Sequence, residues 1–119
     1  MAVQCRRSFA RGAAAAGHDV VVFEQGEIGE PLACSGHVSL DLWEYVPEAA
    51  RDELFQNAIY GARFHLGGAD SRAYPFYKRE PVSNAIDRVG LDRVLAEAAE
   101  TAGSEVRDGH TVTEVLDPR

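Results

Sequence analysis

Lysine is nearly absent from this sequence. Lys78 is the only lysine among 12 basic residues, and 19 acidic residues give the 119-residue chain a formal net charge of −7. Binding to nucleic-acid phosphates requires clustered lysine and arginine side chains, and the sequence contains no such cluster. We therefore exclude nucleic acids as partners.

The surplus of acids leaves two explanations open. Such a composition resembles that of proteins from salt-adapted cells, in which salt screens the repulsion between surface charges. A genome bias towards arginine and alanine would produce a similar composition. A hydrophobic share of 45% and a charged share of 26% are typical of one soluble domain, or of a piece of one.

Cysteine is scarce as well, since Cys5 and Cys34 are the only two. Two cysteines do not make a disulfide framework. Cys34 and His37 have C-x-x-H spacing, but a metal site needs about four ligands, and beyond Cys5 only scattered histidines remain. We expect no bound metal.

The sequence also lacks long apolar runs. None approaches the roughly 20 residues that a membrane span requires. No segment has the pattern of a signal peptide. The sequence therefore predicts a cytoplasmic chain without a transmembrane segment.

The most informative stretch is residues 18–39. Residues 20–23 form a short, β-branched apolar run that predicts a buried strand. Glu24 ends this strand, and in nucleotide-binding α/β folds an acidic residue at that place accepts hydrogen bonds from ribose hydroxyl groups. A glutamate suits a ligand without a 2′-phosphate, which leaves FAD and NAD as alternatives.

The other elements follow from periodicity and turn residues. An alanine-rich helix over residues 6–16 ends at Gly17, and helix followed by strand is the second half of a βαβ unit. Further predictions are helices over 47–57 and 90–102, the latter capped by Gly103, and strands over 58–66, 71–77, 82–87, 105–107 and 110–116. The turn at 67–70 makes a hairpin of 58–66 and 71–77.

The predicted fold class is α/β: a partial Rossmann-like FAD/NAD-binding domain with an inserted β-hairpin. Residues 1–119 are expected to form an incomplete FAD-binding domain, with the hairpin and extended region at about 58–86. Residues 1–7 are atypical, because they contain neither the first strand nor the G-x-G-x-x-G turn of such domains. We expect no substrate domain within these residues.

Three segments carry a family resemblance. They are EQGEIGEPLACSGHVS, which holds a loop with Pro31, Cys34, Ser35 and Gly36, then YPFYKRE, and IDRVGLDRVLAEAAETAG. Together they resemble the FAD-dependent geranylgeranyl reductases, including the archaeal digeranylgeranylglycerophospholipid reductases, from about residue 8 to residue 115. The resemblance implies FAD as cofactor and saturation of isoprenoid C=C bonds in membrane lipids.

The resemblance has further implications for partners. The complete enzyme would use an isoprenoid lipid substrate and an electron donor, either reduced ferredoxin or NAD(P)H. It would meet the lipid peripherally at a membrane surface. Because only the front part of such an enzyme is matched, we expect no turnover from the 119-residue chain alone.

The chain also departs from the family pattern. The three glycines of the family's phosphate-binding turn would fall at about Met1, Val3 and Arg6, and none of these is glycine. Without them the backbone cannot approach a pyrophosphate closely. Arg6 and Arg7 could offer substitute charge. The usual second glycine of the later loop is replaced by His37.

The resemblance implies several site residues in addition to Glu24. By the family's pattern, Cys34, Ser35 and His37 would contact FAD, and Cys34 is a candidate catalytic residue. Arg88 would form charge-assisted bonds to the dinucleotide, with a salt bridge to Asp87 or Asp92 as the alternative. The backbone of Val112 would meet the adenine.

Aromatic residues have two interpretations. Tyr74, Phe76 and Tyr77 could line an apolar isoprenoid channel, although aromatic residues in a hairpin are more often part of a core. Trp43 is predicted to serve packing. Two other functions stay open for the chain: a different flavoprotein, such as an aromatic-ring monooxygenase, or a non-catalytic, truncated nucleotide-binding fragment.

Overall fold

The chain alternates between helices and short strands. A computed structural model describes residues 2–30 and 34–117, with side chains from Arg6 onward. The elements are α1 (Ala2–Ala15), β1 (Val21–Phe23), β2 (His37–Val38), a 3₁₀ helix (Leu40–Tyr45), α2 (Glu48–Leu54), β3 (Phe55–Ile59), β4 (Gly61–Leu66), β5 (Arg72–Tyr77), β6 (Ser83–Ile86), α3 (Arg88–Thr101) and β7 (Glu105–Arg107).

The strands form three small sheets. β1 and β7 are parallel, with Val21 opposite Glu105 and Phe23 opposite Arg107. β6 lies between β2 and β3 and is antiparallel to both, while β4 and β5 form a separate antiparallel hairpin. The described chain is therefore a mixed helix-and-strand fold, and its hairpin is the one predicted.

Two helices lie against the parallel pair. α1 packs on α3 and contacts β1, and α3 contacts β7. The hydroxyl of Ser104 donates to the carbonyl of Ala10 at 3.1 Å, which ties the start of β7 to α1. The parallel pair therefore has α1 against β1 and α3 against β7.

The strand predicted over residues 20–23 is confirmed, but its complete burial is wrong. Val21 and Phe23 are 43% and 42% exposed, whereas Val20 and Val22 are partly buried. Successive side chains of a strand point to opposite faces, and the helices cover only the face of Val22. A continuous apolar run indicates a strand buried on both faces only when other elements cover both faces of its sheet.

The main core lies between α3 and the three-stranded sheet. Its buried members are Val46, Leu54, Ile86, Leu91 and Leu95. Trp43 packs against this cluster, as predicted, and lies near Asn84, whose amide oxygen, in the orientation that satisfies both groups, accepts from the indole N–H at 2.6 Å. Removing these side chains from water is the main stabilising contribution to this half of the fold.

The predicted helix ends are largely confirmed. Gly17 (φ 91°) and Gly103 (φ 108°) follow α1 and α3 in the left-handed conformation that favours glycine. α3 begins two residues earlier than predicted, because the Asp87 carboxylate accepts from the Gly90 N–H at 3.0 Å and caps the first turn. α1 begins at Ala2, also earlier than predicted.

Three predicted boundaries are wrong. The helix at 47–57 ends at Leu54, since residues from Phe55 pair with β6 instead. The strand at 58–66 is two strands, because β3 and β4 pair with different partners on either side of Tyr60. The strand at 110–116 is irregular: no described strand lies beside it, and the His110 N–H bonds back to the Glu24 carbonyl at 2.9 Å.

Within the described ranges, no helix is both long enough and apolar enough to cross a lipid bilayer.

Candidate functional site

Glu24 lies where the sequence predicted, directly after β1. Its N–H donates to the carbonyl of Arg107 at 2.9 Å, and its own carbonyl accepts from the His110 N–H at 2.9 Å. Because strand side chains alternate, Glu24 shares the helix-facing side with Val22. Its side chain is 22% exposed, so the carboxylate lies partly between the helices and the surface.

Both carboxylate oxygens of Glu24 have a donor. The Arg7 Nη2 atom lies 3.3 Å from Oε2, and the Gln25 N–H donates to Oε1 at 3.0 Å. A charge-assisted contact to a guanidinium is stronger than a bond between neutral groups. The carboxylate is therefore held in one orientation by α1 and by the following loop.

Arg7 joins Glu24 to a larger ionic cluster. Its guanidinium is 1% exposed, and Nη1 lies 3.0 Å from Asp92 Oδ1 and donates to the Asp92 carbonyl at 3.1 Å. Arg88 Nη1 contacts the same Oδ1 at 2.6 Å. We call Arg7, Glu24, Arg88 and Asp92 the ionic cluster; two positive and two negative groups make it neutral, which is the condition for burying charge.

Arg88 has the ion pair that the sequence offered as an alternative to a cofactor contact. Its partner is Asp92, one helical turn away, whereas Asp87 caps α3. The Arg88 side chain is 8% exposed. For the guanidinium to meet a dinucleotide, it would have to turn outward or share its remaining N–H groups.

The loop after β1 rests on the junction of β6 and α3. Gly29 (φ 91°) is buried against Val89, and Gly36 (φ 76°) is so close to Ile86 that a Cβ on it would lie 2.5 Å from the Ile86 carbonyl oxygen. The Ile86 N–H donates to the Gly36 carbonyl at 2.9 Å. Pro31 lies outside the described residues, as does Met1.

The residues predicted to face a cofactor in this loop have different surroundings. Cys34 is an exposed free thiol. The Ser35 hydroxyl accepts from the His37 N–H at 3.4 Å, and His37 Nε2 lies 2.5 Å from the hydroxyl of Ser83 in β6. The structure thus joins Ser35 and His37 locally, while Cys34 faces outward.

Val112 is 58% exposed and lies in the irregular segment after β7. The sequence placed it in a strand, which is wrong. Its backbone is therefore not fixed by a sheet ladder.

The hairpin aromatics are exposed and do not lie in a core. Tyr74, Phe76 and Tyr77 are 50%, 53% and 60% exposed, so the core alternative is wrong. Tyr74 is opposite Phe64, and the alternation of side chains places Phe76 on their face and Tyr77 on the other. Two of the three predicted substrate residues therefore share one apolar face.

Two grooves of the described chain do not include the predicted cofactor residues. One, of about 680 Å³, lies among α1, α2 and α3, and the other, of about 380 Å³, lies between the 27–28 loop and α3. Neither is lined by Glu24, Cys34 or Arg88. Among residues 2–30 and 34–117, no three His, Cys, Asp or Glu side chains are grouped so as to hold a metal ion.

The sequence did not predict that Arg7 pairs with Glu24 and Asp92, although it named Asp92 as an alternative partner of Arg88. Arg7 and Ala10 lie three residues apart on the buried stripe of α1, and Asp92 lies on the buried stripe of α3 with Leu91 and Leu95. A charged residue on the apolar stripe of each of two helices signals a buried ion pair. Arg7 does not offer free charge, since two carboxylates already bind it.

The chain is similar to known proteins in its structure. No family model and no curated protein matches the chain. The structure is similar to the crystal structure of a geranylgeranyl bacteriochlorophyll reductase-like protein from Thermoplasma acidophilum, with a TM-score of 0.69 and 25% identity over 87% of this chain and 27% of that one.

A Diels-Alderase from the biosynthetic pathway of pyrroindomycins is also similar, with a TM-score of 0.69 and 21% identity over 93% of this chain and 24% of that one. That likeness shows a common fold alone. The chain thus spans about a quarter of each solved structure. Over nearly its whole length it has a mixed helix-and-strand fold similar to that of a reductase-like protein, which is consistent with the FAD-dependent reductase family that its motifs resemble.

Proposed function

We propose that these residues form the adenosine-binding region of an FAD-dependent reductase that saturates isoprenoid C=C bonds in membrane lipids. The observation that carries the proposal is the position of Glu24 at the carboxyl end of β1, in a parallel pair flanked by α1 and α3. In open α/β folds, ligands bind outside the carboxyl ends of parallel strands. FAD and the reduction of C=C bonds are proposed from the family resemblance of the motifs and from the similarity to a reductase-like protein.

The residues fit the ribose part of the cofactor. Glu24 is 22% exposed, so its carboxylate can be reached from the surface. Each carboxylate oxygen accepts one bond at present and has a second lone pair for a hydroxyl group. The proposed Rossmann-like domain would be an extension of the observed unit of β1, α3 and β7. In this unit α3 precedes β7, and β7 is parallel to β1.

FAD, when bound, supplies the redox chemistry, and the protein binds it, orients it and excludes water. In this proposal the backbone of Val112 meets the adenine, and Arg88 shares its guanidinium between Asp92 and the dinucleotide. Cys34, Ser35 and His37 would lie beside the flavin, and the thiol of Cys34 is exposed. These roles come from the family resemblance.

The hairpin supplies the candidate lipid contact. Phe64, Tyr74 and Phe76 make a continuous apolar face on β4 and β5, and each is at least half exposed. An isoprenoid chain offers only apolar surface, so such a face suits it. The complete enzyme would also need an electron donor, reduced ferredoxin or NAD(P)H.

A second candidate is a flavoprotein of different chemistry, such as an aromatic-ring monooxygenase. The similarity to a Diels-Alderase, at the same TM-score as the reductase-like protein, indicates that this fold also serves reactions other than reduction. Since one fold serves several reactions, the fold does not choose between them. A product from the full-length protein that gains hydrogen supports the reductase, and one that gains oxygen supports the monooxygenase.

The test of the cofactor proposal is a titration of the purified chain with FAD in molar salt, followed by flavin fluorescence, with NAD as competitor. We expect saturable binding that weakens about tenfold in Glu24→Gln, because the neutral amide is a poorer acceptor for ribose hydroxyl groups. Glu27→Gln, on an exposed loop residue, is the matched control. Equal binding by Glu24→Gln, or no FAD binding by a folded wild-type chain, would contradict the proposal.

A further inference from the structure

The feature of interest is the contact between Arg7 and the carboxylate that the proposed function assigns to ribose. Arg7 Nη2 lies 3.3 Å from Glu24 Oε2, while the Gln25 N–H occupies Oε1. A ribose with two hydroxyl donors therefore meets a carboxylate in which both oxygens are already bonded. The sequence suggested Arg7 as substitute charge for a pyrophosphate, and not as a residue that acts on the ribose.

Burial keeps Arg7 in this place. Its side chain is 1% exposed and has three acceptors: Glu24 Oε2, Asp92 Oδ1 and the Asp92 carbonyl. A guanidinium cannot lose its proton, and moving it away from these acceptors would leave a buried charge without partners. The contact with Glu24 is thus maintained whether or not a ligand is present.

The electrostatic consequence is a weaker acceptor. The positive charge of Arg7 neutralises much of the charge on Glu24, so a ribose hydroxyl gains less from bonding to it than from bonding to an unpaired carboxylate. The same guanidinium also occupies one of the lone-pair directions of Oε2.

We propose that Arg7 is an affinity-lowering residue: its guanidinium stays paired with Glu24, weakens the hydrogen bonds that this carboxylate accepts from ribose hydroxyl groups, and so lowers the affinity of the chain for adenosine-containing ligands. This inference rests on the proposed function. The opposite role, in which Arg7 positions Glu24 for ribose, predicts the opposite change in affinity when Arg7 is replaced.

The experiment replaces Arg7 with methionine, which keeps an aliphatic stem for packing between the helices and removes every donor. Asp92 keeps Arg88 as its partner, and Glu24 is exposed enough to take up water. Arg7→Ser is the second variant. Arg6→Met, an exposed arginine on the same turn, controls for the lost charge.

Each variant is titrated with FAD, with ADP and with 2′,3′-dideoxy-ADP, and its folding is checked by circular dichroism. We expect Arg7→Met to bind FAD and ADP about tenfold more tightly than the wild type, the effect of one hydrogen bond to a charged group. Binding of the dideoxy analogue should not change, because it has no ribose hydroxyl groups. In the Glu24→Gln background the gain should disappear.

The outcomes separate the two proposals. If the wild type binds FAD through Glu24 but Arg7→Met and Arg7→Ser bind it equally or more weakly, the inference fails and the proposed function stands. An equal gain for the dideoxy analogue would also overturn it. If both variants fail to fold, Arg7 has a structural role alone, and if no variant binds FAD, the proposed function fails together with the inference.

Discussion

Arg7 on α1 and Asp92 on α3 form a buried ion pair, with 3.0 Å between Nη1 and Oδ1. Asp92 also accepts from Arg88 at 2.6 Å, so one carboxylate pairs with two guanidinium groups whose side chains are 1% and 8% exposed, and Glu24 supplies the second negative charge. Asp92 is therefore the residue on which the electrostatic balance between the two helices depends. Replacing either arginine leaves Asp92 one partner, whereas replacing Asp92 leaves two buried cations with Glu24 as the one remaining carboxylate of the ionic cluster.

Asp92→Asn should lower the free energy of unfolding by about 3 kcal/mol, because it removes the carboxylate that pairs with Arg88 and one of the two that pair with Arg7. Urea denaturation followed by circular dichroism measures the change. Glu97→Gln, an exposed carboxylate on the same helix, is the matched control and should alter stability by less than about 0.5 kcal/mol. If the two variants were equally stable, the ionic cluster would have no structural role.

Gly36→Ala should lower the free energy of unfolding by about 1–3 kcal/mol. Gly36 has a φ of 76°, and an added Cβ would lie 2.5 Å from the Ile86 carbonyl oxygen, so both the backbone and its neighbour must shift. Gly68→Ala is the control, since a Cβ there meets nothing within 4 Å and φ is not positive. Thermal unfolding of both variants gives the comparison, and a Gly36→Ala chain as stable as Gly68→Ala would refute this account of the loop.

Glu105 and Arg107 make a pH-dependent contact at the surface. Arg107 Nε and Nη2 donate to the two Glu105 oxygens at 2.6 and 3.0 Å, and this hydrogen bonding lowers the pKa of Glu105 below its ordinary value. A lowered folded-state pKa gives stabilisation that is present above the unfolded pKa and lost as the pH falls through the folded one. The contact should therefore weaken on the acid side.

An NMR titration of the Glu105 carboxyl group tests this directly. In Arg107→Gln the midpoint should move up towards the ordinary glutamate value, and added salt should produce a smaller shift in the same direction in the wild type. Arg93→Gln, an exposed arginine on α3, controls for the change in net charge. The same midpoint in wild type and Arg107→Gln would show that the pair does not persist in solution.

Much of the fold could be predicted because its signals are local. The helical spacing of Leu91 and Leu95 identified α3, and the turn at 67–70 identified the hairpin of β4 and β5. The prediction of a strand at 110–116 was wrong because it used only local alternation. A strand also needs a neighbouring strand that completes its hydrogen bonds, and alternation does not show whether one is present. The predicted end of the helix, at residue 57, was wrong because the pairing of β3 with β6 overrides the local helix propensity after Leu54.

The candidate site was predictable in part. Glu24 was found because the end of an apolar strand is visible in the sequence. Its contact with Arg7 was not, because that contact depends on how α1 packs across β1. For Arg88 the sequence left a dinucleotide, Asp87 and Asp92 open as partners, and the structure shows the ion pair with Asp92. Long-range pairing of charged groups follows from helix packing, which no single stretch of sequence encodes.

The parallel pairing of β1 with β7 also has a consequence for the order of folding. The hairpin of β4 and β5 joins neighbouring segments and can form as soon as its turn has been synthesised, but β1 must wait for β7, near the other end of the chain. Glu24, whose backbone bonds to Arg107 and His110, is fixed only at that late step. On the ribosome, the carboxylate that we assign to ribose would be among the last parts of this region to reach its final position.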